Sequence, residues 1–272
     1  MTTREGNHII IEGKGLIKDF VVGKKNIRVL RGLSFDIYEG EFVMINGPSG
    51  CGKSTLMNIM NGWDGPTSGT VLVDGEDLYT KNENQRAKAL RGRIGMVHQA
   101  AFWVKSLSVI DNVAIPYMLD GYRRKDSKKR AFHLLRILGL EGFQNYKPMD
   151  LSGGQQQRIS LLRSLVNNPK ILMADEPTGN LDTKSSDLLM ELFKSINEEL
   201  GRTIVMVTHN LELLPYATKV IHILDGQITK IDINKPPFSA KNQNMSDILD
   251  ISKSFVKSVQ EEEHEEEMAA IG

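Results

Sequence analysis

A glycine-rich loop at residues 47–54 is the first group whose residue types and spacing predict chemistry. It fits the pattern G-x-x-x-x-G-K-[ST], follows a predicted strand at 41–45 and precedes a helical pattern over 54–60. Glycines let successive backbone N–H groups point at one anion, Lys53 supplies positive charge for the β- and γ-phosphates, and the Ser54 hydroxyl can bind Mg²⁺. The sequence therefore predicts a phosphate site comprising Gly47, Pro48, Ser49, Gly50, Cys51, Gly52, Lys53 and Ser54, with Thr55 next to it.

Two adjacent acids and a histidine follow two other apolar runs. Asp175 and Glu176 come directly after the run 171–174, and His209 comes just after the run 204–207. Asp175 is placed to hold Mg²⁺, and Glu176 can polarise an attacking water. His209 could reach the γ-phosphate or orient that water. Together with the glycine-rich loop, these residues predict a site that binds a nucleotide and activates water.

The sequence Leu151-Ser152-Gly153-Gly154-Gln155, followed by Gln156-Gln157-Arg158, carries a family resemblance. It resembles the signature of ATP-binding cassette (ABC) ATPases, and it precedes the Asp175-Glu176 strand as in that family. The chain is similar to one cassette from about residue 8 to residue 230. Other positions agree, because Phe20 stands where an adenine-stacking aromatic is expected, Gln99 where the glutamine of the Q-loop lies, and Asn180-Leu181-Asp182 where the D-loop lies.

The resemblance implies a role for each of these positions. Phe20 would stack on adenine, and residues 47–55 would bind the phosphates of ATP. Mg²⁺ would be contacted by Ser54, Gln99 and Asp175. The catalytic set would be Glu176 as base, His209 as switch and Gln99.

The resemblance also implies that the signature acts across a dimer. Ser152, Gly153, Gly154 and Gln155 precede or begin a predicted helix, whose N-terminus forms a second anion-binding edge. In the family this edge caps the ATP held by the partner subunit, and Asp182 closes the D-loop beside it. ATP would therefore hold two cassettes together, and its hydrolysis would loosen them.

The stretch 175–182 looks like the branch that contains the macrolide exporter, the lipoprotein-releasing ATPase and the cell-division FtsE protein. Members of this branch often use ATP-driven closure to drive a stroke through transmembrane helices. The chain departs from the family pattern in carrying Phe20 instead of tyrosine and Leu162-Arg163-Ser164-Leu165 instead of A-R-A-L. It departs more at 100–106, a region that faces the membrane partner in relatives.

The elements that must position these residues are strands and helices in alternation. Alternating or continuous apolar residues predict strands at 8–11, 27–38, 41–45, 70–73, 171–174 and 204–207. Apolar runs separated by helical patterns are typical of a parallel sheet that is covered on both faces. We therefore predict an α/β fold, a P-loop NTPase domain of ABC type, with a parallel core sheet, an antiparallel β subdomain and an inserted helical subdomain at about 85–165.

Composition excludes several other classes. The 272 residues are 40% hydrophobic and 25% charged, with 34 basic and 34 acidic residues, so the chain is neither disordered nor globally basic as nucleic-acid binders are. One cysteine cannot form an internal disulfide, and no run of about 18 apolar residues occurs. We expect a cytoplasmic protein that binds no nucleic acid, and the family resemblance implies that it lies peripherally on the inner face of the cell membrane.

Two segments outside the site carry further predictions. The basic cluster at 123–130 is predicted to be the solvated start of a helix. The alternative is that it contacts anionic lipid or an acidic partner. The ATPase domain is predicted to span 1–235, followed by a tail at 236–272 with an amphipathic helix at about 247–260 and an acidic end.

The function predicted from the sequence is ATP hydrolysis by a dimer, with Mg²⁺, that drives an integral membrane permease from the cytoplasmic side. The dimer would consist of two copies or of paired cassettes. The alternative is a soluble cassette that acts as a nucleotide-gated clamp in DNA repair or translation. A cassette that binds ATP without turnover is disfavoured because Glu176 and His209 are both present.

Overall fold

The computed structural model describes residues 8–234, so the predicted helix at 247–260 and the acidic end lie outside the described residues. The chain divides into two compact units. Unit 1 comprises 8–94, 173–176 and 203–234, and unit 2 comprises 95–172 and 177–202. Within the described part, no helix is both long and apolar enough to cross a membrane.

Unit 1 contains an antiparallel sheet in the order β2-β1-β4-β5. The strands are β1 (Ile9–Val22), β2 (Lys25–Tyr38), β4 (Ser68–Val73) and β5 (Glu76–Asp77). A two-residue turn joins β1 to β2, and Gly23 in it has a φ of 62°, which a glycine adopts at little cost. Strand β1 continues well beyond the predicted 8–11, because the pairing resumes after the irregular stretch at 13–16.

Unit 1 also contains the parallel strands that carry the predicted site. These are β3 (Phe42–Asn46), β8 (Thr203–Thr208) and β9 (Lys219–Leu224); β3 lies between the other two and is parallel to both. Strand β10 (Gln227–Ile233) pairs antiparallel with β9, and residues 173–175 of β7 (Ile171–Asp175) lie next to β8. Helices α1 (Lys53–Met60) and α2 (Glu83–Leu90) complete the unit. The predicted parallel core sheet and antiparallel β sheet are confirmed.

Unit 2 is mainly helical. Its helices are α3 (Val109–Leu119), α4 (Arg124–Ile137), α5 (Gly153–Leu165) and α6 (Thr183–Glu198). It also holds 95–98 of β6 (Ile94–His98) beside the first residues of β7. The sequence pattern did not reveal β6, since five residues that include a glycine give a weak signal between helical stretches. Short 3₁₀ turns lie at Glu141–Phe143 and Pro148–Asp150 in this unit, and at Leu78–Thr80 and Leu211–Tyr216 in unit 1.

The basic cluster at 123–130 begins α4, and three of its cations have partners within unit 2. Arg124 and Lys128 lie 3.1 and 2.8 Å from an oxygen of Asp111. The Arg130 side chain donates to the backbone carbonyl of Val166. Half of the cluster therefore serves to anchor α4, and contact of the rest with lipid or a partner stays a prediction.

Asp111 gives the stability of the chain a specific pH dependence. Burial acts to raise the pKa of Asp111, but hydrogen bonds from Lys128, Ser108 and Arg124 outweigh it and lower the pKa from 3.8 to about 2. The ionised carboxylate therefore stabilises the folded state above pH 3.8, and that contribution is lost as the pH falls toward 2. We expect Asp111→Asn to lower the free energy of unfolding at pH 6, and urea titrations should show a smaller deficit at pH 3. An equal deficit at both values would contradict this sign.

A buried ion pair fixes the start of the parallel strands in unit 1. Lys219 and Glu41 are 6% and 9% exposed, and the Lys219 Nζ lies 2.9 Å from Glu41 Oε2 and 2.9 Å from the carbonyl of Asp36. Removing one member of such a pair leaves the other buried without its partner, at a cost of about 3–5 kcal/mol.

We expect Lys219→Met to lower the free energy of unfolding by about that amount in urea titrations. Lys14→Met is the matched control, because Lys14 pairs with Glu12 at 2.8 Å but is largely exposed. Its loss should cost less than about 1 kcal/mol. An equal loss of unfolding free energy in the two variants would show that burial does not increase the contribution of the Lys219 pair to stability.

Candidate functional site

The glycine-rich loop joins β3 to α1 in unit 1, where a strand leads directly into a helix N-terminus. Gly50 and Gly52 have φ values of 80° and 106°, which only glycine adopts readily, and Gly52 is the N-cap of α1. A Cβ on Gly47 would lie 2.1 Å from the carbonyl oxygen of Ile223, so that position has no room for a side chain. The three glycines therefore give the loop the backbone shape in which N–H groups converge on an anion.

Lys53 is 6% exposed and folds back over this loop. Its Nζ donates to the backbone carbonyls of Gly47 at 2.7 Å and Pro48 at 2.9 Å. Ser54, the next residue, is exposed at the first turn of α1. The loop thus presents an ammonium group, a hydroxyl and helix N–H groups together, which is a set of donors for a polyphosphate.

Asp175 and Glu176 lie at the end of β7, half-buried, within the same unit. The Ser54 Oγ lies 3.5 Å from Asp175 Oδ1. Burial, followed by the charge of Glu176, raises the pKa of Asp175 above 3.8. A nearby cation would stabilise the ionised form of this carboxyl, because its positive charge offsets both the burial and the repulsion from Glu176.

Glu176 and His209 contact each other directly. Glu176 has a φ of 45°, and its N–H donates to the carbonyl of Val207 in β8 at 2.9 Å. This backbone conformation is strained for a residue with a side chain, so it needs support from its surroundings. It brings Glu176 Oε1 within 2.9 Å of the Nδ1 of His209, which follows β8.

Phe20 lies in β1 near the hairpin, opposite Ile27, and its side chain is partly exposed. The Lys18 Nζ lies 4.9 Å from the centroid of the Phe20 ring and 2.6 Å from Asp64. Unit 1 therefore contains the predicted residues Phe20, 47–55, Asp175, Glu176 and His209.

Unit 2 contains the other predicted residues. Gln99 is exposed directly after β6. Ser152 is the N-cap of α5: its Oγ accepts from the Gln155 N–H at 3.3 Å, and Gln155 Oε1 accepts from the Ser152 N–H at 2.9 Å. The hydroxyl proton of Ser152 remains available to an anion, because an acceptor role leaves the O–H free to donate.

The two glycines of the signature differ in the space around them. Their N–H groups lie in the first turn of α5, where a helix supplies no acceptor of its own. A Cβ on Gly153 would lie 3.7 Å from Leu181, an ordinary contact, whereas one on Gly154 would lie 2.6 Å from the Oγ of Ser185. Gly153 therefore tolerates a side chain within this chain, and Gly154 does not.

Asp182 is the N-cap of α6. Its two carboxylate oxygens accept from the N–H of Ser185 at 3.0 Å and from its Oγ at 2.7 Å. The bonds from Ser185 lower the pKa of Asp182 below 3.8. In the described structure this residue caps a helix, and its contact with ATP stays a prediction.

Two polar residues near Gln99, one buried and one partly buried, have contacts that the sequence did not indicate. Gln157 is 4% exposed, and its Nε2 donates to the carbonyls of His98 and Pro177, both at 2.8 Å. Arg163 has its pKa lowered by burial and stacks on Trp103. The run of glutamines at the start of a predicted helix with apolar positions could have indicated these contacts, because polar side chains on a buried helix face need hydrogen-bond partners inside the protein.

The sequence is similar to known proteins of one family. The family described as ABC transporter matches residues 30–179. An uncharacterised ABC transporter ATP-binding protein of Methanocaldococcus jannaschii is 47% identical over 226 residues, which cover 83% of this chain and 100% of that protein. The lipoprotein-releasing system ATP-binding protein LolD 1 of Chlorobium chlorochromatii is 43% identical over 201 residues, 74% of this chain and 82% of that protein.

A solved structure supports the same assignment of fold. It is a dimeric post-hydrolysis state of an ATP-binding cassette bound to ADP and Pi, with a TM-score of 0.78 and 37% sequence identity. The match covers 83% of this chain and 99% of that chain.

Proposed function

Because the chain belongs to the ABC transporter family, as an ATP-hydrolysing cassette subunit, we propose that it acts as part of a dimer. The dimer consists of two copies, or of this chain and a paired cassette. It closes on ATP and Mg²⁺ and drives a membrane permease from the cytoplasmic face. The observation that carries the proposal is the convergence in unit 1 of the glycine-rich loop, Lys53 and the Asp175-Glu176 pair. The branch that includes the lipoprotein-releasing protein is the one the sequence resembles, and the soluble clamp is not favoured.

The residues present fit Mg²⁺. Ser54 Oγ and Asp175 Oδ1 are oxygen ligands 3.5 Å apart, and a cation beside Asp175 would offset the burial that raises the pKa of this carboxyl. Mg²⁺ at a site of this kind would take most of its ligands from phosphates and water. We propose Ser54, Asp175 and Gln99 as its protein contacts, and the bound ion would neutralise charge on the phosphates.

Hydrolysis requires a base for the attacking water. Glu176 is the proposed base, since it ends β7 beside Asp175 and its carboxylate is half-buried. A water bound to Glu176 would pass its proton to the carboxylate as its oxygen attacks the γ-phosphorus, and the bond from the γ-phosphorus to the bridging oxygen would break to release ADP and phosphate. His209 contacts Glu176 Oε1, so the imidazole can hold that carboxylate in one orientation and exchange the contact for the γ-phosphate when ATP is bound.

Lys53 and the loop N–H groups bind the phosphates. In the described structure the ammonium group donates to two loop carbonyls, and a phosphate would replace these weaker acceptors with charged ones. Phe20 supplies a partly exposed ring for the adenine, and the Lys18 ammonium near this ring supports its position.

The signature forms the second half of each site in the proposed dimer. The Ser152 hydroxyl and the N–H groups of Gly153 and Gly154 make an anion-binding edge at the start of α5. Two-fold symmetry would give two identical sites, each built from the glycine-rich loop of one copy and the signature of the other.

The membrane partner is tested by affinity purification of the full chain from a detergent extract of its source cells. We expect an integral membrane permease to co-purify. Recovery of nucleic acid or ribosomes without any membrane protein would overturn the transporter assignment and support the soluble clamp.

A further inference from the structure

The segment 98–104, which includes Gln99, is held from both sides by consecutive glutamines of α5. Gln157 Nε2 donates to the carbonyl of His98, the residue before Gln99, at 2.8 Å. Gln156 Oε1 accepts from Trp103 Nε1 at 2.9 Å, four residues after Gln99. The position of this segment is therefore set by the first turns of the helix that the signature begins.

Gln156 also contacts the signature side of the same helix. Its Nε2 donates to the carbonyl of Leu151 at 3.0 Å, and Leu151 precedes Ser152. A chain of two hydrogen bonds thus runs from Trp103 through Gln156 to Leu151. We call this chain the Trp103 link.

Other contacts hold the Trp103 end of the link in place. The guanidinium of Arg163 lies 4.5 Å from the Trp103 ring, and its Nη1 donates to the carbonyl of Phe102 at 2.7 Å. The fully buried Asn112 accepts from the N–H of Val104 at 2.9 Å. Because the residues on both sides of Trp103 are fixed, movement of its indole requires movement of the segment as a whole.

The Trp103 link joins the segment that contains Gln99 to the start of the signature, and in the proposed dimer these two parts would contact different ATP molecules. Gln99 would act on the nucleotide in its own glycine-rich loop, whereas Ser152 would act on the nucleotide of the opposite copy. We propose that Trp103 and Gln156 are positioning residues that couple the two ATP sites, so that closure around one nucleotide sets the signature for the other. This inference rests on the proposed function, because it requires the dimer.

The test compares the ATP dependence of hydrolysis by variants that break each bond of the link. Trp103→Phe removes the N–H donor and keeps a ring for Arg163, and Gln156→Glu keeps the acceptor for Trp103 but loses the donor to Leu151. With two coupled sites the unaltered chain should give a Hill coefficient of about 1.5–2, and each variant a lower value at the same protein concentration.

The double variant should give the same Hill coefficient as either single variant, since two bonds in series fail together. Trp63→Phe is the matched control: it makes the same change at the other tryptophan of the chain, in unit 1, and should keep the original coefficient. ATP affinity, measured at a protein concentration too low for dimers to form, should be the same in all variants. This measurement separates loss of coupling from general damage to the fold. If one link variant does not fold, the other single variant tests the proposal alone.

The outcomes separate this inference from the proposed function. If the unaltered chain does not dimerise on ATP, the proposed function itself fails. If it dimerises and hydrolyses ATP with a Hill coefficient of 1, or if the link variants keep the cooperativity of the unaltered chain, the Trp103 link does not couple the sites and only the inference is overturned.

Discussion

Replacing Glu176 with glutamine should lower the rate of ATP hydrolysis by about 10²–10⁴-fold, because the amide cannot accept the proton of the attacking water. Affinity for ATP should stay the same, since Lys53 and the loop N–H groups supply the phosphate contacts. Glutamine has nearly the same size and adopts the same backbone conformation as readily as glutamate, so the φ of 45° at this position adds no new strain. Steady-state release of phosphate, with ATP affinity measured separately, checks both expectations.

Glu212→Gln is the matched control for that experiment. Glu212 is exposed and lies three residues beyond His209, so the control removes a carboxylate from the same region. Its hydrolysis rate should equal that of the unaltered chain. Parent-like turnover in Glu176→Gln would show that another group is the base.

Replacing Lys53 with alanine should weaken ATP binding by about 10- to 150-fold, which corresponds to the roughly 1.5–3 kcal/mol of a hydrogen bond to a charged group. The ammonium lies within the glycine-rich loop at 2.7 and 2.9 Å from two of its carbonyls, so a phosphate placed there would contact it. Isothermal titration with a slowly hydrolysed ATP analogue measures the change.

AMP provides the control for the Lys53 experiment, because it lacks the β- and γ-phosphates that Lys53 is proposed to contact. Binding of AMP should change little in Lys53→Ala. A similar loss for AMP and the ATP analogue would indicate a collapsed loop, and unchanged affinity for the analogue would contradict the role of Lys53.

The sequence predicted that several candidate site residues of unit 1 follow strands, because strand ends and helix starts leave strong local patterns. The glycine-rich loop, Asp175 and His209 each follow a short apolar run, and each lies at the end of a strand in the structure. Direct contact between Glu176 and His209 could not be derived from the sequence, because it depends on a positive φ and on the placement of two separate strands.

The sequence predicted less about the surroundings of Gln99. Strand β6 is short and contains Gly95, whose added Cβ would lie 2.3 Å from the carbonyl of Ser164. Glycine is therefore needed where the two backbones approach closely, although in the sequence Gly95 interrupts the apolar pattern of a strand. The partners of Gln156 and Gln157 were also hidden, because hydrophobic periodicity predicts which face is buried but not which carbonyls that face contacts.

We propose that ATP is bound between the glycine-rich loop of one copy and the signature of the other. Gly153→Asp tests it, because the structure has room for a side chain there and an acid in the first turn of α5 suits the helix dipole. In the proposed dimer, the same carboxylate would oppose the γ-phosphate held by the partner. Gly142→Asp is the matched control, since a Cβ at Gly142 meets nothing within 4 Å and lies outside the signature.

Sedimentation velocity with ATP and Mg²⁺, carried out in the Glu176→Gln background to prevent turnover, is the most direct measurement. We expect a dimer for Glu176→Gln and for its combination with Gly142→Asp, and a monomer of equal ATP affinity for its combination with Gly153→Asp. A dimer that persists at full strength in the Gly153→Asp combination would contradict the claim that the signature closes the partner's ATP site.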